Sequence, residues 1–422
     1  MPRPDAACIA FKTGSAILAE QADDLMGAVP KGRGVRIMVT MPSEAADSPD
    51  LIQGLVAAGM DVMRVNCAHD SAREWESMIA HMRRANQESG SHCRVLMDLA
   101  GPKLRTGPIH RGSHVVRWKA GKNARGAAVT PARIALVGRH AGATLPPFDV
   151  QLPVPESLVD LVRLGDIVRI KDSRKRTRRL KVIHIADHAC ICSCDRSAYV
   201  LSRAELTLTR DDEEIETGHV GALPFVEEPI RLGPQDLLVL TREASPPPGW
   251  VGDLPHVSCT LPEVFSTAEA GQPIFFDDGK IEGRIREVHA DHMLVEIVHT
   301  GAGAGKLGSA KGINLPDTDL GIGAMTVKDR QDLDFVAQHA DVVGLSFGRA
   351  EDVPELLRGL RARGKSELGI ILKIESRPGF GQLPLIMIAA MRHHPVGIMV
   401  ARGDLAIEVG FERLAEIQEE IL

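Results

Sequence analysis

Short apolar runs that stop abruptly in polar or charged residues recur in two stretches of the chain, and helical periodicity follows each of them. In the first stretch the runs are VRIMVT (35–40), DVMRVN (61–66) and CRVLMD (93–98). In the second they are DVVGLSF (341–347), GIILKIES (369–376) and VGIMVARGD (396–404). Near-continuous apolar runs of this length read as parallel strands buried on both faces. Between them, LIQGLVAAGM, AREWESMIAHMRRANQES, VKDRQDLDFVAQHA and EDVPELLRGLRARG carry the longer period of helices. Ser48-Pro49, Ser71 and Thr326 are start signals, and Gly59 and Gly90 are stops. Strands alternating with helices predict a parallel α/β sheet, either a (β/α)8 barrel of the TIM type or a doubly wound sheet. Six strands are counted, three before residue 107 and three after residue 311, where a closed barrel has eight.

The α/β alternation is interrupted by about 200 residues of another kind. From 108 to 310 the sequence consists of short alternating strands and turn residues, as in LGDIVRIKDSRKRTRRLKVIHI and QPIFFDDGKIEGRIREVHA, which predicts an inserted all-β lid. A weak internal repeat suggests two related lobes. The stretch from Val154 aligns with that from Leu261, matching Pro155 to Pro262, Glu156 to Glu263, Gly165 to Gly271 and Asp172 to Asp278. SPPPGW (245–250) falls in the connection between them. The expected organisation is a lead-in over 1–30 with a short amphipathic helix in ILAEQADDLM, a split barrel over 31–107 and 311–422, and the lid over 108–310.

A net charge of −6 argues against a general nucleic-acid binder. The basic run from Lys171 to Lys181 lacks interleaved aromatics and is read as a solvated hairpin. The seven cysteines show neither secretory spacing nor a C-x-x-C pair. Cys190, Cys192 and Cys194 alternate on one face of a strand and are expected as buried thiols in a reducing cytosol. No run approaches the roughly 20 apolar residues of a membrane helix, and no signal-peptide core opens the chain. A soluble cytoplasmic protein that engages no membrane is expected.

The chemistry gathers at the last two strands. Lys373 and Glu375 sit two apart, so they share one face of a strand, and Asp404 follows Arg402-Gly403, where the glycine leaves backbone open to a ligand. Two carboxylates suit a hard divalent cation, and an ammonium suits a phosphate riding on it. Arg64 and Asn66 end the second strand on a common face, and Asp98 ends the third.

Taken together, these segments resemble the pyruvate kinase family. DVMRVNCAHD, MDLAGPKLRTG, KGINLP, ILKIES and GIMVARGDLAIE fall in family order across residues 35–107 and 311–422. The resemblance implies a barrel with an inserted β lid and transfer of phosphate from phosphoenolpyruvate to ADP, giving pyruvate and ATP in glycolysis. It places Glu375 and Asp404 on Mg2+ (or Mn2+), Lys373 on the phosphoryl group in flight, and Arg64 and Arg105 on phosphates. Asn66 and His69 would lie toward the nucleotide, and Ala401 to Gly403 would offer backbone to the substrate carboxylate. Family members are often tetramers, so a homo-oligomer is compatible with the resemblance.

Three departures concern the monovalent-cation region around Asn66, Asp98 and Lys103. Ala68 stands where many members have serine, Leu99-Ala100 where they have threonine and lysine, and Lys103 where they have glutamate. A fixed ammonium at Lys103 would replace K+, so K+-independent activity is expected. The family's further strands are absent from the chain, so it is expected to be a partial, poorly active form of the enzyme. Two other readings stay open. One is a Mg2+-dependent aldolase or lyase acting on pyruvate enolates, and the other is a catalytically silent binding or regulatory homologue.

Overall fold

The computed structural model describes residues 11–30, 32–109, 111–122, 128–142, 144–243 and 254–422. Cys8 and the SPPPGW connection lie outside the described residues. The chain divides into two compact units, one of residues 1–108 and 231–422 and the other of residues 109–230. The second half of the inserted stretch is therefore counted with the barrel segments. Backbone bridges from Arg105 to Gly312 and from Thr106 to Cys259 tie it there.

In the first unit six parallel strands form one sheet. They are β1 (Met38–Thr40), β2 (Val62–Asn66), β3 (Arg94–Asp98), β4 (Val342–Ser346), β5 (Gly369–Ile374) and β6 (Val396–Val400), hydrogen-bonded in that order. This is the α/β architecture of an incomplete barrel, with β1 and β6 as its two edges. The register aligns the strand ends that matter: Asn66 lies beside Asp98, Gly344 beside Asp98, and Ser346 beside Lys373. β5 is buried along its whole length, as expected for an inner strand with neighbours on both sides, whereas every residue of β6 is half-buried.

Local signals fix the flanking helices. Ser71 and Glu74 form a capping box at the start of helix Ala72–Ser89, and Gly90 ends it at φ 69°. Thr326 and Asp329 do the same for helix Val327–His339. Asp329 is spent twice, because its Oδ1 also accepts the Ala100 N–H at 3.0 Å, which holds the turn after β3 against this helix.

The lead-in does more than its weak pattern suggests. Its helix runs from Phe11 to Met26 and seats Leu25 under the amino ends of the strands, among Val62, Leu96, Val342 and Ile371. A Cβ on Gly369 would meet Leu25 Cδ1 at 2.8 Å, and one on Gly397 would collide with Leu25 Cδ2. Both positions need glycine for this close approach. A helix whose apolar side is a single leucine carries little periodic signal.

The unit of residues 109–230 is built on a seven-stranded sheet packed around Trp118, Ile134, Leu136, Leu158, Val168 and Leu206. Cys190, Cys192 and Cys194 lie in its strand Ala189–Cys194 and are buried, so they act as small apolar side chains there. Among the described residues all six cysteines are free. The basic run spans strand ends and a turn, and Lys171, Arg174, Lys175 and Arg176 are exposed, as read from the sequence. Among the described residues no helix is long and apolar enough to cross a membrane.

Candidate functional site

The carboxyl ends of β2 to β5 carry a continuous chain of charge. Arg64, on β2, donates from Nε to Asp98 Oδ2 at 3.0 Å and from Nη1 to Thr40 Oγ1 at 2.8 Å. Asp98, the last residue of β3, is fully buried. Its other oxygen lies 2.9 Å from Lys373 Nζ, which is itself 2.8 Å from Glu375 Oε1. Ser346, the last residue of β4, donates to Glu375 Oε2 at 2.7 Å and accepts from Lys373 at 3.3 Å. The same-face placement of Lys373 and Glu375 predicted by their spacing is thus seen as a direct ion pair.

An ammonium only 3 % exposed would normally lose its proton, because burial disfavours charge. Here burial does pull Lys373 downward, but Glu375 and Asp98 outweigh it and hold its pKa above the usual lysine value. Glu375 is the mirror case. Burial pushes it up, yet Lys373, Ser346 and the more distant charge of Lys103 keep it ionised, with its pKa below the usual range.

Asp404 behaves differently. It lies in the first turn of helix Arg402–Val409 rather than on the strand end, and its pKa is raised, first by burial and then by the negative charge of Glu375. Lys103 and Lys373 only partly relieve it, and Asp278 adds to the repulsion. Two half-buried carboxylates lining one space are the donor set of a hard divalent cation. The residues present therefore fit Mg2+.

That space is a cavity of about 290 Å3 lined by Lys103, Arg105, Asp278, Ser346, Glu375 and Asp404, among others. It brings together four of the residues expected from the sequence: Lys103, Arg105, Glu375 and Asp404. Lys373 stands behind its wall. Asn66 and His69 do not line it: Asn66 Oδ1 accepts the Ala68 N–H at 3.1 Å and the His69 carbonyl accepts from Trp75 Nε1 at 2.9 Å, so both belong to the turn after β2. Ala401 does not line it either, but a Cβ on Gly403 would meet nothing within 4 Å, which leaves the backbone there accessible. Arg105 Nη1 donates to the Ala310 carbonyl at 2.8 Å.

Several contributors were not singled out from the sequence as site residues. Asp278 comes from the turn after strand Pro273–Phe276 in the β-rich segment, at φ 57°, and the DDG triplet around it was the available signal. Glu408, one helical turn beyond Asp404, lines the cavity and accepts from Asn314 Nδ2 at 2.9 Å. Arg349 lines the cavity and donates to the Ile322 carbonyl at 2.9 Å.

A family model described as pyruvate kinase, barrel domain, matches residues 32–208 and 245–422. Among curated proteins, pyruvate kinase of Clostridium perfringens is 33% identical over 174 residues, 41% of this chain and 35% of that protein. Pyruvate kinase of Geobacillus stearothermophilus is 34% identical over 174 residues, 41% of this chain and 28% of that protein. A longer alignment, with pyruvate kinase of Agrobacterium vitis, is 24% identical over 396 residues, 93% of this chain and 54% of that protein. The matches thus span about a third to a half of the length of these relatives.

Proposed function

The chain belongs to the pyruvate kinase family, and from that premise we propose that it is a phosphotransferase moving phosphate between phosphoenolpyruvate and ADP. The observation that carries the proposal is Lys373, a buried ammonium kept charged by Asp98 and Glu375 at the mouth of the sheet. Phosphoryl transfer asks a protein mainly for positioning and for neutralisation of charge on the moving group. Lys373 supplies a positive charge that needs little reorganisation, because its partners already fix it. Arg64 is anchored through Asp98 and Thr40 and serves as a phosphate grip, with Arg105 as a second.

Glu375 and Asp404 would hold the Mg2+ (or Mn2+), which when bound neutralises substrate oxygens and draws them together. The open backbone at Gly403 would receive the substrate carboxylate, while Ala401, whose N–H is taken by the Ile374 carbonyl, shapes the turn before it. Asn66 and His69, outside the cavity, would contact the nucleotide. Free buried thiols among the described residues fit a cytoplasmic setting.

The test is a coupled assay on the 422-residue chain. Pyruvate formation from phosphoenolpyruvate should require both ADP and Mg2+. Release of pyruvate from a 4-hydroxy-2-oxo acid, with none from phosphoenolpyruvate and ADP, would point to a lyase. Binding of oxalate with Mg2+, but with no turnover, would point to a silent homologue.

The transfer is further proposed to be independent of K+. Lys103 lines the cavity and its charge acts on both Glu375 and Asp404. Leu99, in place of a hydroxyl ligand, is buried and offers no side-chain oxygen. Rates in potassium and tetramethylammonium chloride should agree within about twofold, well under the tenfold that 1.36 kcal/mol represents. Lys103→Glu should make K+ stimulatory. A strict K+ requirement in the wild-type protein would sink this part of the reading.

A further inference from the structure

The lobe of residues 109–230 holds a second cluster of ligating side chains that phosphoryl transfer does not use. Glu156 and Asp160 are one turn apart on helix Glu156–Leu161 and so share a face. His188 comes from the two-residue turn between strands Thr177–Ala186 and Ala189–Cys194. One ligand atom from each of the three lies within 4.8 Å of the others.

The hydrogen bonding leaves this cluster one donor short. His188 Nδ1 is hydrogen-bonded to Asp160 Oδ1 at 2.9 Å, and the same nitrogen is 2.8 Å from Glu156 Oε1. A single ring N–H cannot serve both carboxylates. Glu156 Oε1 is accordingly buried without a hydrogen bond, a costly state for an ionised oxygen. Its partner oxygen is held by the Arg139 N–H at 2.8 Å, which fixes the carboxylate with Oε1 turned toward the histidine.

Two further groups flank the cluster. His140 Nδ1 is 3.5 Å from Glu156 Oε1, outside the three-residue group itself. Asp187 Oδ1 is 3.6 Å from His188 Nε2, in the place of the carboxylate that orients a ligating imidazole from behind. His188 also adopts φ 50°, a left-handed conformation in which glycine or asparagine is more at home.

We propose that Glu156, Asp160 and His188 form a binding site for a first-row transition-metal ion of the zinc type, with water as the fourth ligand. Imidazole and carboxylate together suit Zn2+, whereas Mg2+ prefers oxygen alone. Zinc holds such ligands at about 2.0–2.2 Å, which sets tetrahedral neighbours roughly 3.3 Å apart. The present separations of 2.8 and 2.9 Å need to open by only a few tenths of an ångström. A bound ion would pin the helix to the hairpin turn.

The competing occupant is a proton, shared between His188 and the acids. The two are separated by titrating the chelator-treated full chain with Zn2+ and Co2+ at pH 7.5 under saturating Mg2+. One Zn2+ per chain is expected, with the visible absorption of four-coordinate Co2+ and a rise in thermal midpoint. His188→Gln and Asp160→Asn should each weaken Zn2+ binding at least about tenfold and abolish the Co2+ band, while Asp404→Asn leaves both intact. The proposal is overturned if the wild-type chain binds no Zn2+ under these conditions, or if its affinity is the same in both lobe variants.

Discussion

Lys373→Met should lower the rate of phosphoryl transfer by about a thousandfold or more, the upper end of the loss when one preorganised charge-stabilising group is removed. The substitution keeps an unbranched side chain, one atom shorter, and deletes the charge together with the ammonium's hydrogen bond to Ser346. It also leaves Asp98 and Glu375, now facing each other's charge across a buried gap, without the ammonium that lies 2.9 and 2.8 Å from them. Removing one partner of a buried ionic group typically costs about 3–5 kcal/mol, so denaturant unfolding should show a clear loss of stability beside the loss of rate. The two effects are separable. Adding Asp98→Asn to the methionine variant should return part of the stability and none of the activity. A folded Lys373→Met protein that keeps its rate within tenfold would remove the foundation of the proposed function.

Asp404→Asn is expected to move binding and stability in opposite directions. The carboxylate's pKa is raised by burial and by Glu375, so its charged form is disfavoured in the folded chain. For such a group the stabilising contribution is present below the unfolded-state pKa and is lost as pH rises through the folded-state value. At neutral pH the asparagine variant should therefore be at least as stable as the parent in the absence of divalent ions. Its affinity for Mg2+, read calorimetrically through oxalate binding, should fall by about a hundredfold or more, since loss of outer-shell support alone costs 10–100-fold. In the parent the same affinity should rise with pH as Asp404 sheds its proton, and that slope should flatten in the variant. If affinity and pH slope were unchanged, Asp404 would hold no metal.

How much of this was legible in the residues depended on range. The six strands, their order and the caps at Ser71 and Thr326 follow from local periodicity and local hydrogen bonding, and sequence carries both. So did the meeting of Lys373 with Glu375, which needs only two residues and a strand. What the chain does not write locally is who sits across from whom. Asp98 was read as part of a cation region, yet it is also shared by Arg64 from β2 and Lys373 from β5, a link visible only once the register is known. Asp278 reaches the barrel cavity from a distant β-turn. The helix Phe11–Met26 was underestimated because a single leucine beneath six strands gives no repeating pattern.

The seat of that leucine has a consequence for how the molecule comes together. Leu25 rests against Gly397, from which it is separated by most of the first unit's sequence. Its docking closes a very long chain loop in the first unit, which makes it a high-contact-order event. Until the fifth and sixth strands pair, the helix has only part of its seat and its leucine stays partly in water.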